Sequence, residues 1–241
     1  MANWGMVVQT HWRLALMFDT PDHDLAALGA ALMRNGEALR SAAAGNHVRM
    51  GVADRHADLG EWAQRNTDKL FADVDGAIEI SIVNDRIAEI PDICRALRPV
   101  IAGFSDLGSV QVMVGPMFHM VPVRTGGTFL SLAFRRDPAT TSAQFRDWWY
   151  NRHSAVAIPV LGDGLLAYDQ VHVEQQVSAA AAKAFGANYV EYDAYDNLTW
   201  TDRYGYLHSI SDDEAMIPVY ADEVGRIDPV GRRSAIMTEI S

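Results

Sequence analysis

The feature that most constrains this chain is a pattern that runs through its first half and again through its second. Trp12-Arg-Leu-Ala-Leu-Met-Phe18 reads as a buried strand closed by the turn cluster Asp19-Thr-Pro-Asp22. Thr128-Phe-Leu-Ser-Leu-Ala-Phe134, closed by Arg135-Arg-Asp-Pro138, does the same. An amphipathic helix follows each, over 25–43 and 142–156. Second strands are expected at 47–53 and 165–173, polar loops at 54–75 and 174–188, and third strands at 77–82 and 189–194. A helix (91–98, then 212–224) and a fourth strand (110–114, then 234–239) close each copy. Thr141 with Gln144 and Ser211 with Glu214 have capping-box spacing, and Pro218 is expected to kink its helix.

Strand–helix–strand–strand–helix–strand is the split βαβ pattern. Each copy makes an antiparallel sheet with its helices on one face, and a second sheet can cover the other. The expected fold class is therefore α+β: two ferredoxin-like repeats pairing sheet to sheet as one barrel. The halves are 1–124 and 125–241, with a hinge at 122–127 where Thr125-Gly-Gly127 separates two apolar strands.

Composition narrows the function classes. A net charge of -11 argues against nucleic acid or an anionic membrane surface as the main partner. Cys94 is the sole cysteine, so an intramolecular disulfide and a Cys-rich zinc site are excluded. The first ten residues lack the charge and apolar core of a secretory signal, and no window reaches the ~18 apolar residues of a spanning helix. A cytoplasmic chain is the expectation. Gly-x-Gly-x-x-Gly, a Walker loop, His-Glu-x-x-His and Gly-x-Ser-x-Gly are all missing, which leaves acid–base chemistry with no metal and no cofactor.

Phe145-Arg-Asp-Trp148 through His153-Ser-Ala155, preceded by Arg135-Arg-Asp-Pro138, resembles the signature helix of the EthD family. Asp75-Gly76 followed by Glu79 resembles the family's second signature. The first half has Leu28, Leu32 and Gly36 in place of the aromatic helix, and the second has Ala187-Asn188 where Asp-Gly would stand. The resemblance implies a dimeric-type α/β barrel built within one chain. In it the second half is active and the first is a degenerate partner sheet. That group of folds includes polyketide cyclases, isomerases, lyases, monooxygenases and haem-degrading enzymes, so chemistry is left open.

His153 is the first candidate proton carrier, on a helix face that also carries Trp149 and that, by the resemblance, overlooks a pocket. The competing reading is a buried histidine bonded to a backbone carbonyl. Tyr168, Gln170, His172 and Glu174 alternate along one face of a strand. Tyr168 would donate to a substrate oxygen, and His172 would be a second proton carrier. Glu191 and Asp193 share a face of the next strand, with Tyr192 and Asp196 on the other. A carboxylate there either orients a histidine or pairs with Arg135 or Arg136. Trp200, Tyr204, Tyr206 and His208 crowd one segment and suit an aromatic ligand, or else pack as a lid.

The function expected is a cofactor-independent lyase or isomerase/cyclase acting on an aromatic or polyketide-like small molecule. Two alternatives stand beside it. One is a monooxygenase of the same fold, cofactor-free or with a haem on His153 or His172. The other is a non-catalytic carrier. The partners expected are the substrate and, for a homodimer of tandem barrels, a second copy of the chain.

Overall fold

Alternation along the first strand already separates two environments. In β1 (His11–Phe18), Leu14, Leu16 and Phe18 join one buried cluster, while Ala15 and Met17 join another. A residue period of two puts these sets on opposite faces of the sheet. The computed structural model, which describes residues 11–55, 57–61, 73–121 and 125–240, shows that one face lines the inside of a barrel and the other lies beneath helices. The hinge residues 122–124, the N-terminal 1–10 and much of the first polar loop lie outside the described residues.

The remaining strands are β2 (His47–Ala53), β3 (Gly76–Val83), β4 (Gln111–Val121), β5 (Thr128–Phe134), β6 (Leu165–His172), β7 (Ala194–Trp200) and β8 (Arg233–Ile240). All pairings are antiparallel, and the sheet closes in the order β1-β3-β2-β8-β5-β7-β6-β4. Within it, the run β4-β1-β3-β2 meets the run β8-β5-β7-β6, so each reads fourth, first, third, second in its own half. Two seams complete the circle: β2 with β8, and β4 with β6. Closure removes the unpaired strand edges that an open sheet would expose.

Inside, the barrel is narrow, and small residues set the spacing. A Cβ on Gly51 would lie 2.5 Å from the Phe129 ring. On Gly115 it would lie 2.1 Å from the His172 carbonyl oxygen, across the β4–β6 seam. Outside the first half, α1 (Leu25–Ala42) and α2 (Ile90–Ile101) press Leu28, Leu32, Leu97 and Ile101 onto Leu14, Leu16 and Ile80. Each such side chain contributes about 1.5–3 kcal/mol by leaving water.

The second half carries α3 (Ser142–Trp148), a π turn (Trp149–His153), α4 (Ser154–Leu161), α5 (Gln175–Phe185), α6 (Arg203–Ile210) and α7 (Asp213–Glu223). The capping box forms: Thr141 and Gln144 each satisfy the other's backbone N–H. Ser211 plays no such part, because α6 ends at Ile210 and Asp212 caps α7 instead. Pro218 sits within α7.

Two expectations fail together. The stretch 174–188 is helical over Gln175–Phe185, because the run Ser178-Ala-Ala-Ala-Ala182 favours a helix and Gly186, at φ 82°, stops it in the left-handed region. The chain therefore reaches the sheet late, and the third strand is Ala194–Trp200 instead of 189–194. Helix α5 also crosses to the other half, where Ala181, Ala182 and Phe185 join the first-half core.

Candidate active site

Two of the cavities on the barrel bring titratable side chains together, and those side chains behave differently. The larger of these two, about 410 Å³, lies in the barrel mouth between the starts of β1 and β2 and the ends of β3 and β4. Its charged groups bind one another. Arg13 bridges Glu79 and Asp169 at 3.0 Å each, and its Nη2 also lies 2.9 Å from the Met117 sulfur. His119 Nδ1 meets Asp169 at 2.6 Å, while Tyr195 and Asn197 donate to Glu79. Arg49 donates to Glu239, Asn197 and Thr199 and covers the Phe129 ring at 3.8 Å. Buried charges persist only when paired in this way.

The smaller cavity, about 310 Å³, lies between the second-half sheet and helices α4, α6 and α7. Apolar and aromatic groups dominate it: Leu130, Leu198, Trp200, Tyr206, Ile210 and Val219. Four of the residues singled out in the sequence line it, namely His153, Tyr168, Trp200 and Tyr206. Asp196, named in the sequence only as sharing a strand face with Tyr192, also lines it, as do Glu223 and Arg232, which the sequence reading did not single out, with Asp222 behind the wall.

His153 closes the π turn and is 5% exposed. Its Nδ1 lies 3.1 Å from Asp222 Oδ2, and Trp148 Nε1 donates to the same oxygen at 3.0 Å. A carboxylate oxygen accepts, so Nδ1 carries a proton, and in the neutral ring Nε2 keeps a lone pair. No protein group bonds that second nitrogen among the described residues. This is the arrangement of an oriented general base, with the carboxylate fixing both ring angle and tautomer.

Tyr168 is buried, and burial together with the nearby Asp196 carboxyl pushes its hydroxyl well above the ordinary tyrosine range. Burial, with the charge of Glu223, likewise raises Asp196 well above the ordinary carboxylate range. Arg232 is held by Glu223 at 3.1 Å. Trp200 Nε1 donates to Ser209, which leaves its ring edge-on to Tyr206.

The other expected residues stand elsewhere. His172 shares its strand face with Tyr168, yet its ring is stacked on Trp149 and packed against Phe118 outside the cavity. Burial drives its pKa down to about 3, so it is neutral at neutral pH and does not fit the role of second proton carrier. Trp149 is packed among Phe134 and Phe145, and Gln170 bonds its backbone. Glu174 lies past the end of β6 and pairs with Arg146 at 2.9 Å.

Glu191, Tyr192 and Asp193 precede β7, a consequence of the late strand. Glu191 is exposed, and its backbone oxygen accepts from Arg135. Asp193 pairs with Arg136 at 3.2 Å, and Tyr192 donates to Gln111 at 2.8 Å in the barrel-side cluster. His208 and Tyr204 are exposed beside a shallow outer groove.

Asp75, of the second signature, is fully buried and has a structural task. Burial alone would raise its pKa, but bonds from the Thr20 backbone and hydroxyl, His23 and Arg55 hold it below the ordinary range. With Asp19 and His23 it forms the one cluster of potential metal ligands among the described residues. Burial pushes the Cys94 thiol up to about 12, so it is inert.

A haem fits these residues poorly. His153, with its ring held by Asp222, has the form of an axial ligand. The rest of the wall opposes one: it carries the carboxyl groups of Asp196 and Glu223, and its one arginine is already paired, so among the described residues it offers no free cation to a propionate. His172, the other candidate ligand, lies outside the cavity.

No protein-family profile matches the chain, and no curated protein matches its sequence. Solved structures do share its fold. A candidate monooxygenase from Fusobacterium nucleatum subsp. nucleatum ATCC 25586 superposes with a TM-score of 0.56 at 10% identity, covering 97% of this chain and 94% of its own. An anthrone oxidase-like protein gives 0.53 at 12% identity over 98% and 93%. A chlorite dismutase variant from Candidatus Nitrospira defluvii gives 0.53 at 11% over 95% and 91%. These likenesses place the chain among the α+β barrels. Among the described residues, no helix is long and apolar enough to cross a membrane.

Proposed function

We propose that the chain is a small-molecule oxygenase that works without a cofactor, in the cavity between the second-half sheet and its helices. The observation that carries this reading is the His153–Asp222 couple on the wall of a cavity otherwise rich in apolar and aromatic groups. A base of this kind can remove a proton from an activated ring carbon or hydroxyl of a bound aromatic compound. The electron-rich anion then meets molecular oxygen. For a ring methylene beside a carbonyl, CH2 plus O2 gives C=O plus H2O, with the first proton passing through His153. Fold likeness to the candidate monooxygenase and the anthrone oxidase-like protein favours this chemistry over the lyase or cyclase reaction, which uses the same first step.

The same reading assigns 1–124 and 125–241 as two ferredoxin-like repeats of EthD type, supported by their shared strand order. The first half serves as the partner sheet.

The test is oxygen uptake by the purified protein with a panel of hydroxylated polycyclic ketones. Consumption with wild type and its loss in His153→Gln, with melting unchanged within about 1–2 kcal/mol, is the expected result. Conversion that continues without oxygen would return the assignment to a lyase or cyclase. A Soret band in freshly purified protein would overturn the cofactor-free reading.

A further inference from the structure

The direction of one hydroxyl proton in the cavity is fixed by a chain of constraints that begins in the helix backbone. The π turn at Trp149–His153 widens the helix where Gln170 reaches up from β6, and Gln170 Nε2 donates to the Trp149 carbonyl at 3.0 Å. A carbonyl only accepts, so the NH2 end of that amide is fixed. The same nitrogen lies 3.1 Å from the Tyr168 oxygen, which must therefore accept. Tyr168 is left with its own proton to give.

Beside it stands Asp196, 6% exposed, on the same cavity wall. Its Oδ1 is shut away from solvent with no hydrogen-bond partner among the described residues, and the Tyr168 hydroxyl is a donor within reach of its carboxyl. The cavity's one arginine is taken by Glu223, so among the described residues no cation compensates a charge on Asp196. A bare carboxylate in that setting is far costlier than the protonated acid. The neutral form carries an O–H that can also donate.

We propose that Tyr168 and Asp196 form an oxygen-binding pair, and that the substrate class is an aromatic ring bearing a carbonyl or phenolic oxygen. The proposal rests on the acid–base reading above and extends it. When His153 Nε2 takes a proton from the substrate, the electron pair left behind moves through the ring onto that oxygen. Two donors in an apolar-lined cavity stabilise the charged oxygen more than the neutral one, which is the condition for lowering the barrier. Tyr168 and Asp196 keep their protons throughout.

The pair can be tested by binding alone. Fluorescence titration of the full-length protein with 1-naphthol and with naphthalene compares one ring system with and without the oxygen. Naphthol is expected to bind about tenfold tighter. In Tyr168→Phe and in Asp196→Leu the two affinities should come within about twofold of each other, with naphthalene binding retained as the sign of an intact cavity. Asp196→Asn keeps a neutral donor and should keep the preference, as should His153→Gln. Equal affinities in wild type, or a preference that survives both Tyr168→Phe and Asp196→Leu, would overturn the pair and leave the acid–base reading standing. If neither ring binds, both fall.

Discussion

The barrel mouth and the helix–sheet cavity each hold a His–Asp couple, the first among charged groups and the second among apolar and aromatic ones. In the mouth, His119 leans on an aspartate that Arg13 already holds, and Arg13 Nε is the one buried atom there without a partner among the described residues. In the outer cavity, His153 Nε2 and Asp196 Oδ1 have no partner among the described residues. A closed network of ions stabilises geometry, whereas unsatisfied groups beside an apolar void await a ligand. The size of a cavity is therefore a poorer guide to chemistry than the state of its polar atoms.

Four measurements can break or sharpen this contrast. The largest effect is expected from Glu79→Ala, which takes the shared acceptor from three buried donors, Arg13, Tyr195 and Asn197, and should cost about 3–5 kcal/mol in denaturant unfolding. A loss below 1 kcal/mol would mean that the mouth network is not structural. Next, Asp222→Asn should slow turnover by about 10–100-fold while leaving the unfolding midpoint nearly unchanged, as loss of an orienting carboxylate does. Comparable losses from His119→Gln would move the chemistry to the mouth.

A third test uses His172. With its folded-state pKa near 3 and an ordinary unfolded value of about 6.5, the unfolded chain binds more protons across that window. Stability should thus fall as pH drops from about 6.5 towards 3, by about 1.4 kcal/mol per pH unit, and His172→Phe should remove that slope. Urea titrations at several pH values would show it, and parallel slopes for the two proteins would refute the burial argument. The smallest effect belongs to Asp92→Asn. It breaks an exposed pair with Arg95 and should change stability by less than about 0.5 kcal/mol.

Much of the fold could be read from periodicity, because alternation and capping are local properties. His47–Ala53 and Thr128–Phe134 are strands as the apolar runs indicated, and Thr141 with Gln144 caps as its spacing required. The second half was read less well, for one reason. Treating the alanine run before Gly186 as loop pulled the third strand forward and put Glu191 and Asp193 on it. Counting back from Leu198 and Trp200 in steps of two would have found Asp196 on the helix-covered face. Asp222 had no comparable local signal. Its role depends on α7 folding back over a residue 69 positions earlier in the chain.

The crossing of α5 has a practical consequence for anyone who would cut this protein in two. A fragment ending near residue 124 would lack Ala181, Ala182 and Phe185, so Cys94, Leu97 and their neighbours would face water where that helix now lies. Expressed alone, such a piece should be sticky and poorly soluble. Supplied with the complementary piece, it should recover a stable complex, because one half carries part of the other's lining.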